Sequence, residues 1–200
     1  MRETEVKFYI QDLSRLNTRL EQLGAHLVQA RVLETNLRFD LPDESLRAEG
    51  RVLRLRQDTA TRLTYKGASQ KEDGIVDREE IEFTVEDFEK AKRFFEARGY
   101  QKLVYYEKYR TVYELNETHV MLDELPYGSF VEIEGENAGS IHRMAEQLDL
   151  SWATAVGTSY LALFERVCNA LNLSFQDLSF PNFAGLNVAA SHLDVRAADR

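Results

Sequence analysis

Charged and apolar residues alternate along the opening segment, with Glu3, Glu5 and Lys7 set against Val6 and Phe8. The alternation returns at Arg54 and Arg56 against Leu53 and Leu55, and at Arg78, Glu80 and Glu82 against Ile81 and Phe83. It appears again at Lys108 and Arg110, and at Glu132 and Glu134 against Val131 and Ile133. A period of two is that of a β-strand, whose successive side chains point to opposite faces. Each segment therefore predicts a strand with one charged and one apolar face. Strands are expected over 32–39, 51–57, 61–66, 103–115, 118–123 and 129–134. They are separated by the loop with Pro42 and Gly50, by Asp58-Thr59-Ala60, by Asn116-Glu117 and by Leu125-Pro126-Tyr127-Gly128.

Helical spacing follows the first strand: Leu13, Leu16, Leu20 and Leu23, with Asp12 or Ser14 as a cap and Gly24 as a stop. A second strand-then-helix unit runs from Ile81 through Val85-Glu86-Asp87 to Phe88, Ala91, Phe94, Phe95 and Gly99, a pseudo-repeat of the first. Helices are expected over 12–24, 86–98, 140–149 and 158–172. Each needs an apolar surface to rest on, and outward-turned apolar strand faces supply it. The fold predicted is α+β: a closed antiparallel β-barrel of about eight strands forming a charged tunnel, flanked by amphipathic helices. One tunnel domain over 1–175 is expected, followed by a C-terminal extension over 176–200. In that extension and just before it, Phe175, Phe180 and Phe183 surround Pro181 and cover an open end or pack outside, with fraying from Ala189 onward.

With 200 residues, 44% hydrophobic and 30% charged, the chain can bury a core without disulfides or structural metal. No apolar run approaches the roughly 18 residues of a membrane span. The charged N-terminal segment lacks a signal-peptide core and Cys168 stands alone, so a cytoplasmic protein is expected, with Cys168 as a packed thiol. A net charge of −9 and a pI near 5.1 disfavour DNA, RNA and anionic lipid as partners. His26, His119, His142 and His192 are scattered, without the companions of a zinc site.

Inside such a barrel, Lys7, Arg54, Arg56, Lys66, Arg78, Lys108 and Arg110 concentrate more positive charge than one small carboxylate needs, and a polyphosphate would use it. Glu3, Glu5, Asp123, Glu132 and Glu134 would repel that anion unless hard divalent cations, Mg2+ or Mn2+, stood between.

These segments resemble the CYTH superfamily, the triphosphate tunnel metalloenzymes, which includes class IV adenylyl cyclases, thiamine triphosphatases and inorganic triphosphatases. Glu3-Thr4-Glu5-Val6-Lys7 matches the family's Glu-x-Glu-x-Lys signature. Leu53-Arg54-Leu55-Arg56, Leu63-Thr64-Tyr65-Lys66-Gly67, Arg78-Glu79-Glu80-Ile81-Glu82, Lys108-Tyr109-Arg110, Leu122-Asp123, Phe130-Val131-Glu132-Ile133-Glu134 and Ser159-Tyr160 follow in the family's order, over about residues 1 to 165. The resemblance implies Glu3, Glu5, Asp123, Glu132 and Glu134 as metal ligands. It implies Lys7, Arg54, Arg56, Lys66, Lys108 and Arg110 as triphosphate ligands, with Arg78, Glu80 and Glu82 also in the tunnel. Many relatives carry a basic residue just before the Ser-Tyr pair, where this chain has Ala155-Val156-Gly157-Thr158. Tyr160 itself reads equally as a ligand contact or a packing residue.

With no adenine-reading motif visible, the reading favoured is hydrolysis of inorganic triphosphate, thiamine triphosphate or a nucleoside triphosphate to diphosphate and orthophosphate. Glu134 or Lys66 would position the attacking water. The alternatives are adenylyl cyclisation of ATP to cyclic AMP and pyrophosphate, and a non-catalytic polyphosphate-binding module. Phe39, Tyr65, Tyr105, Tyr106 and Tyr127 are candidates to stack an organic group, though each reads first as a packing residue.

Overall fold

The computed structural model describes residues 2–199, with the side chains of Arg2, Glu3 and Lys71 outside the described set. Its strands are β1 (Arg2–Ile10), β2 (His26–Asp40), β3 (Val52–Gln57), β4 (Thr61–Lys66), β5 (Gln70–Glu72), β6 (Ile75–Val85), β7 (Gln101–Leu115), β8 (Thr118–Leu125) and β9 (Gly128–Glu134). They pair in the order β1-β9-β8-β7-β2-β3-β4-β6, and β6 pairs back to β1 through Glu3↔Arg78 and Glu5↔Val76. The ring of eight antiparallel strands thus closes, and β5 lies outside it, paired to β6.

The helices are α1 (Leu13–Gln22), α2 (Ser45–Ala48), α3 (Phe88–Ala97), α4 (Ala138–Gln147), α5 (Tyr160–Leu171), α6 (Phe180–Phe183) and α7 (Ala190–Leu193). The two strand-helix units end alike. Asp12 accepts from the Arg15 amide and Asp87 from the Lys90 amide at the N-caps. Gly24 (φ 76°) and Gly99 (φ 90°) take the left-handed conformation that stops each helix. Among the described residues no helix is long and apolar enough to cross a membrane.

Two features differ from the alternation-based expectation. β2 starts at His26 rather than Val32, because register shifts at Leu27/Gln29 and Gln29/Val32 erase the two-residue period over its first part. β5 was absent from the predicted strands, although the turn that joins it to β6, Asp73-Gly74 with φ 49° and 78°, carries the dipeptide favoured by two-residue hairpins.

The outward apolar faces carry helices as expected. Val6, Phe8, Val131 and Ile133 pack with Leu16 and Leu20 of α1 and Ile141 and Met144 of α4. Leu37, Phe39, Leu53 and Leu55 pack with Phe95 of α3. The helix at 160–171 departs from that scheme. Leu125 shares a face with Asp123, and Phe130 with Glu132, so these apolar residues belong to the inward face. Leu163, Phe164 and Val167 of α5 pack against that aromatic end, joined by Leu178 and Phe183. Phe175 and Phe183 extend this plug, with ring centroids 5.3 Å apart, whereas Phe180 sits outside against Tyr109 at 5.1 Å.

The fraying expected from Ala189 is not what the structure shows. Leu193 and Ala198 are fully buried. The Ala198 amide donates to the Tyr9 carbonyl at 2.9 Å. The Asp199 carboxylate accepts from the Gln11 and Asp12 amides at 2.9 and 2.8 Å, pinning the segment across the start of α1. Asp199→Ala should lower the melting temperature by about 2–4 °C, the equivalent of about 1 kcal/mol in a domain of this size. An unchanged thermal melt would mean that this contact does not hold the segment.

Candidate active site

Cross-strand register brings the predicted charges together. Glu5 lies opposite Glu134 and Lys7 opposite Glu132. Arg110 lies opposite Asp123, and Lys66 opposite Glu80. Two cavities among the described residues take in these charges, the first opening to the surface beside Arg47 and Glu165. The larger, of about 1030 Å³, takes Glu5, Lys7, Arg54, Lys66 and Arg78 into its lining. The second, of about 550 Å³, is lined by Arg56, Lys108, Arg110, Glu132 and Glu134. Glu5, Arg54, Lys66, Tyr106 and Tyr160 line both, so the two are consecutive parts of one passage. Of the residues predicted, Asp123 is fully buried behind the lining, and the Glu3 side chain lies outside the described residues.

Asp123 is the electrostatic anchor of this wall. Arg110 donates to both its oxygens at 2.6 Å, Lys108 at 3.0 Å and the Tyr160 hydroxyl at 2.8 Å. Arg110 also reaches Glu132, which binds Lys7 at 2.8 Å. Burial opposes charge on Glu132, but Lys7, Arg110 and Lys108 hold its carboxyl well below the usual range. Burial, reinforced by Asp123 and Glu132, holds the Tyr160 phenol well above its ordinary value, so it stays protonated and donates. Tyr160, which the sequence left between packing and ligand contact, therefore orients Asp123, and the Lys7 ammonium rides over its ring at 4.3 Å.

The adjoining wall holds residues that the sequence reading passed over. Glu34, Asn36 and Arg38 of β2 face inward beside Lys108, Tyr106 and Arg54. Their period of two, in a strand whose Leu37 and Phe39 face out, was the available signal. Arg56 reaches Glu34 at 3.4 Å and Glu82 at 3.1 Å, while Thr64 donates to Glu82 at 2.8 Å. Of the aromatic candidates, Tyr106 lines both cavities. Phe39 packs in the core under α3, and the Tyr105 hydroxyl bonds Glu107 at 2.6 Å.

Burial raises the Glu34 carboxyl, but Lys108, Arg110, Arg56 and Arg54 overcome it and bring it down to about 2. A folded-state value below the unfolded one stabilises the native state above the unfolded value, and that advantage is lost as pH falls toward the folded value. Acid unfolding between roughly pH 4.5 and 2 should therefore include a contribution of about 3 kcal/mol from Glu34. In Glu34→Gln, denaturant melts should show lower stability at pH 7 and a shallower loss on acidification. An acid limb as steep as wild type would remove Glu34 from the account.

Among the described residues, no group of three or more Asp, Glu, His or Cys side chains is arranged to enclose a metal ion. The donor chemistry nevertheless fits a hard divalent cation. Glu5 and Glu134 are cross-strand neighbours, Glu132 lies two positions along the same face, and all three line the second cavity. Mg2+ or Mn2+ takes a few such oxygens and completes its shell with water and phosphate. Asp123 is already committed to Arg110, Lys108 and Tyr160, and Glu132 is paired with Lys7 and Arg110, so a cation would compete with those two for Glu132.

The CYTH domain family matches residues 1–154. A Methanocaldococcus jannaschii protein, provisionally named an adenylate cyclase, is 30% identical over 175 residues, covering 82% of this chain and 98% of that one. The PH1012 protein of Pyrococcus horikoshii superposes with a TM-score of 0.69 at 25% identity, over 80% of this chain and 97% of its own. A Hippeastrum protein, described as an adenylyl cyclase candidate with a dominant triphosphatase activity, shares the fold with a TM-score of 0.60 at 19% identity, over 82% of this chain and 95% of its own.

Proposed function

The chain belongs to the CYTH domain family, and on that premise we propose that its tunnel binds a triphosphate and, with Mg2+ or Mn2+, hydrolyses it to diphosphate and orthophosphate. One observation carries this reading. The Nε–H groups of Arg38 and Arg54 are buried along one wall of the tunnel and donate to no protein atom in hydrogen-bond geometry. Buried donors on permanent cations are costly unless an anion meets them, and the fork of a guanidinium matches phosphate oxygens. Lys7, Lys66, Lys108 and Arg110 add charge along the same passage.

In this reading Glu5, Glu132 and Glu134 would hold a divalent cation, which would supply neutralisation of phosphate charge and orientation for in-line attack. Glu134 accepts the proton of the attacking water as its oxygen bonds to the terminal phosphorus. The bond from that phosphorus to the bridging oxygen breaks, and Arg54 and Lys66 stabilise the charge left on the diphosphate. The dominant triphosphatase activity described for the Hippeastrum protein supports this choice of nucleophile.

A second reading, cyclisation of ATP, is favoured by the larger cavity. Its volume of about 1030 Å³ matches sites that enclose a whole organic ligand, and Leu103, Val104, Leu161, Phe164 and Phe175 give it an apolar wall. The cyclase name of the Methanocaldococcus relative points the same way. Product analysis with tripolyphosphate, thiamine triphosphate and ATP, each with Mg2+ or Mn2+, separates the two. Orthophosphate with a diphosphate is the result expected. Cyclic AMP with pyrophosphate supports the second reading, and no turnover of any of the three contradicts both.

A further inference from the structure

Arg38 stands apart from the other cations of the larger cavity. Lys66 lies 3.3 Å from Glu80, Arg78 lies 3.7 Å from Glu5, and Lys7 pairs with Glu132. At the rim, Arg47 pairs with Glu165, Arg51 with Glu49 and Lys102 with Asp177. Arg38 has no carboxylate within ion-pair distance among the described residues, and its Nε is buried without a partner. The acid nearest along its own strand face, Asp40, is consumed by the Leu41, Leu46 and Arg47 amides at 2.8–3.0 Å. Beside Arg38 in the ladder lies another cation, Arg54, and the neighbouring Asn36 is fully buried with both amide atoms unpartnered. Burial and the charges of Arg54, Arg78 and Arg47 push the Arg38 guanidinium down, against the pull of Tyr106.

We infer that Arg38, with Arg54, forms an additional phosphate subsite where the tunnel opens into the larger cavity, and that Arg38 is held there for the ligand rather than for the fold. The inference rests on the triphosphate reading and assigns a ligand contact to a residue outside the recurring charged motifs. Its signature is a trade-off. A partly buried cation set among like charges, with its Nε shut off from water, destabilises the ligand-free protein, so removing it should stabilise the fold while weakening the ligand.

The test uses Arg38→Met, Arg38→Lys and the wild type, with tripolyphosphate titrated calorimetrically in EDTA so that turnover plays no part. Arg38→Met should weaken tripolyphosphate binding about 10- to 100-fold, the loss of a charge-assisted bond pair. Its ligand-free melting temperature should equal or exceed wild type, by up to about 4 °C. Arg38→Lys, which keeps the charge but not the fork, should fold and bind with an intermediate affinity. If wild type binds tripolyphosphate and both variants bind it equally well, the subsite is overturned while the functional reading stands. An Arg38→Met protein that melts well below wild type also overturns it, by making Arg38 a structural residue. Wild type that binds no tripolyphosphate removes the functional reading and the subsite with it.

Discussion

Asp123→Asn is expected to cost about 3–5 kcal/mol of stability, and so to lower the melting temperature by roughly 6–20 °C. The substitution keeps the shape of the side chain and removes its charge. Asp123 is fully buried and accepts from Arg110, Lys108 and Tyr160, so without it two buried cations lose their shared counter-ion. Glu132 still holds Arg110, and Glu34 lies 3.5 Å from Lys108, but neither replaces the paired bonds to Arg110. The attribution is checked by a double variant. Adding Arg110→Met should recover part of the loss, because it removes the cation that gave both of its paired bonds to Asp123. A single variant that melts within about 2 °C of wild type would show that Asp123 is not the anchor.

Glu5→Gln is expected to lower metal-dependent triphosphate turnover about 10²- to 10³-fold with little change in folding. Glu5 lies opposite Glu134 on the lumen face, where two like charges oppose each other, so neutralising one relieves repulsion as well as removing a donor. The separable signature is in binding. Tripolyphosphate affinity in EDTA should hold or rise, since a negative charge beside a polyanion is gone, while turnover with Mg2+ or Mn2+ collapses. Full turnover in Glu5→Gln would take Glu5 out of the metal site. Parallel loss of binding and turnover would instead make it a structural partner of Arg78, which lies 3.7 Å away.

The closed ring and its charged interior were legible because strand alternation is a local signal, and five segments repeated it with the same sorting of charge. Glu34, Asn36 and Arg38 escaped notice for a related reason. A mixed Glu, Asn and Arg face resembles an ordinary solvated one, and only the closure of the ring shows that it points inward. Tyr160 was ambiguous because a tyrosine at a helix start packs as readily as it binds. What decides its role is the approach of α5 to Asp123, a contact between residues 37 positions apart. The docking of the last residues was invisible for a different reason. It depends on backbone bonds such as Ala198 to Tyr9 and on one carboxylate at the start of α1, and neither leaves a periodic trace in the sequence.

The central claim is that the two cavities form one triphosphate site with its metal on the β1–β9 face. The most direct measurement is a crystal structure with tripolyphosphate and Mn2+, using the anomalous signal of manganese to place the ion. The account predicts phosphate density passing Arg54 and Lys66, where the cavities meet, with manganese beside Glu5, Glu132 or Glu134. Polyphosphate on the outer surface, or manganese bound away from those carboxylates, would contradict it.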